Sequence, residues 1–174
     1  MRRVQVITSA SGNGGTTFAR DLAARIGVPF HELDAVFWRP AWTETPADEF
    51  RALVEPILAD EAWMIDGNYH GKLGDLIYRN AELVVWLDLP MHVWLPRLLW
   101  RTFRRAATRE ELWNGNRESF RNALLSRDSI FLFALRSYWR RRRTYPERLA
   151  AFPHVRLRSK REVEAFLSSA SRAT

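Results

Sequence analysis

Residues 4–26 constrain this chain more than any other segment. VQVIT (Val4 to Thr8) is a short, continuously apolar run, and SASGNGG (Ser9 to Gly15) is a loop of small residues. From Thr16 the apolar positions Phe18, Ala19, Leu22, Ala23 and Ile26 recur at helical spacing. Gly27 and Pro29 then supply stop signals. A strand apolar on both faces belongs inside a parallel sheet, and the helix that follows it belongs on one face of that sheet. The segment therefore predicts a buried strand, a glycine-rich turn and a covering helix.

The rest of the chain repeats this alternation. Phe30 to Leu33 is expected as a second strand ending at Asp34. Thr45-Pro46-Ala47-Asp48 reads as a helix start, with a capping residue, proline at the first helical position and an acid in the first turn. Phe50, Leu53, Val54, Ile57 and Leu58 continue that helix face, and Pro56 should kink or shorten it. Trp63 to Ile65 is a third strand, followed at once by Asp66-Gly67-Asn68, and Lys72 to Arg79 a short helix. Leu83 to Leu87 (LVVWL) is a fourth strand, closed by Asp88-Leu89-Pro90, where Asp88 reads as a structural turn. Helices are expected over His92 to Ala107 and Arg117 to Arg143, and a last strand over Val155 to Leu157. Ser159-Lys160-Arg161-Glu162 is a capping box opening a final helix. The predicted fold class is α/β, with a parallel sheet covered on both faces. In such sheets ligands bind beyond the carboxyl ends of the strands. The residues to read are then Ser9 to Thr17, Asp34, Asp66 to Tyr69 and Asp88.

A chain of 174 residues suits one such domain. With 47% apolar residues it has ample material for a core. It has no cysteine, which excludes disulfides, thiolate metal sites and cysteine nucleophiles and fits a reducing cytoplasm. The N-terminus lacks the pattern of a signal peptide, and no apolar run approaches a membrane span. The net charge is +7, and it is unevenly placed: fourteen arginines against five acids lie between Arg97 and Arg148. Such a segment favours a polyanion, whether nucleoside phosphates or nucleic acid.

The first glycine-rich turn carries the sharpest chemistry. Glycines let successive N–H groups converge on an anion, and the helix N-terminus adds its dipole. Ser11, Gly12, Asn13, Gly14, Gly15, Thr16 and Thr17 are the expected phosphate cradle, with the Thr16 hydroxyl placed to ligate Mg2+. The pattern G-x-x-x-x-G-K-[ST] is met in part. Ser9 stands at the first glycine, Gly14 and Thr16 match, and Gly15 takes the place of the lysine. The alternative is an ordinary β–α turn. Arg97, Arg101, Arg104 and Arg105 lie at i, i+4, i+7 and i+8, one face of a helix that suits phosphate oxygens. Arg140 to Arg143 are consecutive, spray around a helix and read mostly as solvated or facing nucleic acid. The four histidines (31, 70, 92 and 154) show no metal-ligand spacing.

SASGNGGTTFARDLAARIG, PFHELDAVFWRPAWTE, WMIDGNYHGKL and VVWLDLP followed by an arginine-rich helix together resemble one family. It is the adenylate-kinase-like P-loop kinases described as DNA topology modulation proteins. The resemblance implies a five-stranded parallel core, use of ATP and Mg2+, and a basic helical lid, here about residues 92–148. On that basis Asp34 faces the acceptor as proton acceptor or metal partner, and Asp66 holds Mg2+ together with Thr16. Trp38 and Arg39, with Trp42, form an acceptor wall, with turn and core-packing roles as the alternatives. Asn68, Tyr69 and Arg97 join the acceptor site. Arg101 and Arg105 close over the transferring group, and Ser159 borders the adenine.

Two functions follow. The first is ATP-dependent phosphoryl transfer to a small acceptor, a nucleoside or nucleotide. The second is a nucleotide-binding or nucleic-acid-associated regulator without turnover, which Gly15 and the arginine excess favour. No helix-turn-helix or zinc-finger motif supports nucleic acid as a partner.

Overall fold

The computed structural model describes residues 1–108, 110–116 and 130–170. In chain order the elements are β1 (Arg3–Thr8), α1 (Gly15–Ile26), β2 (Phe30–Glu32), α2 (Leu33–Phe37), β3 (Trp38–Arg39), β4 (Thr43–Glu44), α3 (Ala47–Ala59), β5 (Trp63–Asp66), α4 (His70–Leu73), α5 (Leu76–Asn80), β6 (Leu83–Leu87), α6 (Met91–Thr108), α7 (Ile130–Leu149), β7 (His154–Leu157) and α8 (Lys160–Ala170). Five strands form one sheet in the order β2-β5-β1-β6-β7, with every pair parallel.

Period-two alternation divides the core between the two faces. Val4 and Val6 of β1, Met64 of β5, and Val85 and Leu87 of β6 pack against Phe18, Ala19, Leu22 and Ala23 of α1, with Val163, Phe166 and Leu167 of α8 outside them. On the opposite face Trp63 and Ile65 meet Leu33 and Phe37 of α2 and Phe50, Val54 and Leu58 of α3. Ile7, Val84 and Trp86 meet Tyr78, Tyr145 and Leu149. Trp94 and Leu98 of α6 join Ala134 and Tyr138 of α7 over Ala10 in the first turn.

The strands expected from the sequence form, and the differences are local. β2 stops at Glu32, and Leu33 opens a helix, so Asp34 sits in α2 and does not end a strand. Leu33 is wholly buried, but it enters the core from a helix and not from a strand, while Phe30 to Glu32 are half-buried. α3 runs past Pro56 to Ala59. The carbonyl that this proline leaves without its helical donor belongs to Ala52, on an exposed face open to solvent. The helix expected over Lys72 to Arg79 is two, α4 and α5, broken at Gly74 with φ 57°. α7 continues past Arg143 to Leu149. The expected helical stretch 117–129, with Arg117, Arg121 and Arg127, lies outside the described residues, as does Arg109. Ser159 caps α8: its Oγ accepts from the Glu162 N–H at 3.2 Å, and the Glu162 carboxylate accepts from the Arg158 N–H.

Asp88 is more than a turn. Its buried carboxylate accepts from Ser9 Oγ at 2.6 Å and from Arg156 Nη2 at 2.6 Å, with Arg142 Nε at 3.2 Å. The Arg156 guanidinium also stacks 4.1 Å from the Trp86 ring centre. This cluster ties the start of the first turn to β6, β7 and α7. No helix among the described residues is long and apolar enough to cross a membrane.

Candidate functional site

β1 lies at the centre of the sheet, and the chain leaves it in a turn wrapped around the N-terminus of α1. Gly12 and Gly14 take left-handed backbone, φ 87° and 82°. That alternation with right-handed residues turns N–H groups toward one point. A side chain at Gly12 would collide with α6, since its Cβ would lie 2.7 Å from the Trp94 carbonyl oxygen. The turn is fixed from beneath by Asn13, whose Nδ2 donates to the Ala10 carbonyl and whose Oδ1 accepts from the Leu89 N–H. Ser9 is held by Asp88 and by Trp86 Nε1. These two side chains shape the loop, so a phosphate there would be held by its backbone. No side chain caps α1, and no acid stands in its first turn. The first N–H groups of this helix are therefore open to an anion.

Thr16 Oγ1, in the first turn of α1, donates to Asp66 Oδ2 at 2.6 Å. Asp66 ends β5, and the register pairs it with Val6 on one side and Glu32 on the other. Glu32 Oε1 lies 3.4 Å from the same hydroxyl. Asp34 accepts a hydrogen bond from the Tyr69 hydroxyl. One hydroxyl and three carboxylates thus share the carboxyl ends of β2 and β5 next to the turn. Gly67 permits this approach: it has φ 127°, and a Cβ there would press on Leu33 Cβ at 3.0 Å.

Burial raises the pKa of Asp34, with the Tyr69 hydrogen bond opposing it, the Glu32 charge adding to it, and the Arg101 and Arg141 charges lowering it. Asp66 is pushed up to about 7, first by burial and then by the charges of Asp34 and Glu32, against the Thr16 hydrogen bond. A carboxyl whose folded pKa lies above its unfolded value favours the fold at low pH and loses that contribution as pH rises through the folded pKa. The ligand-free protein is therefore expected to be more stable at about pH 5 than at about pH 8, and Asp66→Asn should recover on the order of 2 kcal/mol at the higher pH. Urea unfolding of parent and variant at the two pH values checks this. An unchanged pH slope in the variant would show that Asp66 carries no such charge.

Hard oxygen donors in this arrangement suit Mg2+, which keeps waters and takes phosphate oxygens. Thr16 and Asp66 would hold it. Among the described residues no three His, Cys, Asp or Glu form a full ligand set, which such an ion does not need.

The cations divide into those that reach the site and those held elsewhere. Arg97 Nη1 would lie 3.8 Å from a Cβ placed on Gly14, which sets it beside the cradle. The charges of Arg101 and Arg141 act on Asp34. Arg141 Nη1 donates to the Thr8 carbonyl at 3.1 Å, one residue before the turn. Arg104 and Arg105 both pair with Glu110. Arg39 pairs with Glu49. Trp38 packs edge-on against Phe37 and Trp42. Trp42 meets Trp113, and Asn114 and Asn116 donate to the Trp38 and Arg39 carbonyls. This β3–β4 hairpin, missed in the sequence, accounts for the aromatic spacing by packing. Asn68 joins Tyr145 and Tyr78 through its amide. Ser11 and Thr17 lie in the turn and first helical turn, half-buried and exposed respectively, and the Ser159 hydroxyl serves α8.

Sequence reasoning missed Glu32 and Arg141. Glu32 ends β2, the position that the strand-end rule singles out, and was passed over because the strand was extended by one residue. Arg141 carried no local signal within a run of four arginines.

No protein-family model matches the chain, and no curated protein sequence does. Solved structures do match along nearly its whole length. A shikimate kinase from Bacteroides thetaiotaomicron superposes with a TM-score of 0.57 at 15% identity, covering 99% of this chain and 97% of that one. A gluconokinase from Sinorhizobium meliloti gives 0.55 at 18% identity, covering 99% and 94%. The fold is that of the P-loop kinases. A deoxyadenosine kinase from M. mycoides with bound dATP shares it, with a TM-score of 0.52 at 11% identity over 95% and 97% of the two chains. This fold is an α/β sandwich whose five parallel strands place the turn, Glu32 and Asp66 together at their carboxyl ends.

Proposed function

We propose that this chain transfers the terminal phosphoryl group of ATP, with Mg2+, to the hydroxyl of a small acceptor such as a nucleoside or nucleotide. The observation that carries the reading is the Thr16–Asp66 hydrogen bond of 2.6 Å at the uncapped start of α1, with Glu32 beside it. Backbone N–H groups between Gly12 and Thr17 would hold the phosphates. Thr16 and Asp66 would hold Mg2+, which would supply positive charge to offset that of the phosphates. Asp34 is oriented by Tyr69, and its raised pKa moves it toward the range useful for accepting a hydroxyl proton. Arg101 and Arg141 would stabilise charge on the transferring group, in the role that a P-loop lysine fills elsewhere. In this reading the arginine-rich helices α6 and α7 would act as a basic lid of a single domain. Kinases named for shikimate and for deoxyadenosine share the fold, which supports transfer to a small acceptor and spans more than one acceptor type. The resemblance to the DNA topology modulation proteins fits the same chemistry, and ATP use fits the cytoplasm.

A second reading is a nucleotide-binding regulator without turnover, and Gly15 favours it. A Cβ at Gly15 would lie 2.7 Å from Thr8 Cγ2 and 3.0 Å from Asp66 Oδ1, so this cradle is built without a lysine. ATP turnover measured against a panel of nucleosides, nucleotides and polyols separates the two. The first predicts acceptor-stimulated, Mg2+-dependent turnover. Nucleotide binding with no turnover on any acceptor, together with salt-dependent DNA binding, supports the second.

A further inference from the structure

Beside the acid cluster, the loop after β5, the start of α4 and the second half of α7 enclose a cleft of about 290 Å3 lined by His70, Arg140, Arg141, Thr144, Tyr145 and Arg148. The α7 residues fall at i, i+1, i+4, i+5 and i+8, one face of the helix. The cleft lining holds three arginines and a histidine and no carboxylate. Among the described residues, Arg140 and Arg148 have no acidic partner within ion-pair distance. By contrast, Arg142 on the other side of the helix is neutralised by Asp88. Neutralisation is thus available to this helix, and Arg140 and Arg148 go without it, while Arg141 acts on Asp34 and His70 Nε2 lies 3.1 Å from Asp75 Oδ1.

The cleft is also fixed in shape. Asn68 at its base is held by the hydroxyls of Tyr145 and Tyr78. Tyr145 and Arg141 both approach the Thr8 carbonyl, at 3.5 and 3.1 Å. Thr8 is the last residue before the phosphate turn, so the cleft and the turn share a wall. A rigid, concave, cationic site of this size accommodates one small anion-bearing molecule, with planar guanidinium groups suited to carboxylate or phosphate oxygens.

We propose that this cleft binds an oxyanion carried by the acceptor, so that the acceptor is an anionic small molecule, a carboxylate or a phosphate ester, and not a neutral alcohol. The word acceptor rests on the phosphotransferase reading; the anion site does not.

Calorimetric titration with matched probes tests it: glycerol, glycerate and glycerol 3-phosphate, and adenosine against its 5′-monophosphate. A non-hydrolysable ATP analogue with Mg2+ is titrated in parallel. The anionic member of a set is expected to bind at least about tenfold more tightly than the neutral one, and Arg148→Gln and Arg140→Gln each to weaken only the anionic member by about tenfold. Preference for glycerate identifies a carboxylate site, and preference for the phosphate esters a phosphate site. Equal affinity for neutral and anionic members, or no binding of any probe by a protein that binds the ATP analogue, overturns the proposal and leaves the kinase reading standing. So does a loss of ATP-analogue affinity in Arg148→Gln without an effect on the probes, which would give the cleft to the nucleotide. Failure of the ATP analogue itself to bind counts against the kinase reading, while discrimination among the probes would still support an anion site.

Discussion

Asp34→Asn is expected to keep the fold and to lower acceptor-dependent ATP turnover by about 10²- to 10⁴-fold, the range for a lost acid–base group. The substitution is nearly isosteric and leaves an oxygen to accept the Tyr69 hydrogen bond, so packing around α2 changes little. What it removes is the capacity to take a proton. Burial and Glu32 raise the pKa of Asp34 while Arg101 and Arg141 hold it down, a balance suited to a base that must ionise and still accept. Tyr69→Phe should give a smaller loss, because it frees the carboxylate without removing it. Steady-state turnover on the best acceptor, with unfolding curves for each variant, checks both. A normal rate in Asp34→Asn would leave Asp34 as a residue that merely holds Tyr69.

The second large effect concerns the missing lysine. Arg141→Ala is expected to lower turnover by about 10²- to 10³-fold, the loss typical of a cation or oxyanion donor acting on transition-state charge. Arg101→Ala should follow it. Arg105→Ala should do less, because Arg105 pairs with Glu110. Gly15→Lys does not simply restore the motif. Thr8 is β-branched and stiff at χ1, and its Cγ2 would lie 2.7 Å from the new Cβ. Overpacking of this kind costs about 1–3 kcal/mol of stability. Thr8→Ser removes that methyl group, so the double variant Thr8→Ser with Gly15→Lys should recover stability. If arginines already supply the charge, the double variant gains no turnover. Turnover absent in the parent and restored in the double variant would show that nothing replaces the lysine and would favour the regulator.

The central sheet was legible because its strands are short apolar runs set between helical periodicities, and VQVIT and LVVWL admit few other readings. The turn after β1 was legible from its glycines. Partner choice was not. Asp88 read as a turn because Arg142 and Arg156, which neutralise it, lie 54 and 68 residues further along the chain. Spacing alone also cannot show that Asn114 and Asn116 strap Trp38 and Arg39 into a hairpin. Arg141 differs from Arg142 only by about 100° around a helix, which sends one to the Thr8 carbonyl and the other to Asp88. Local patterns specify elements, and long-range pairing decides which charge faces the site.

The account stands most directly on Thr16, whose hydroxyl joins the start of α1 to Asp66. Calorimetric titration of ATP, with and without Mg2+, into the parent and into Thr16→Ala tests it. The account predicts that Mg2+ tightens ATP binding to the parent, and that Thr16→Ala removes most of that gain, about tenfold or more, while metal-free affinity changes little. Identical affinities with and without Mg2+ in both proteins would contradict it.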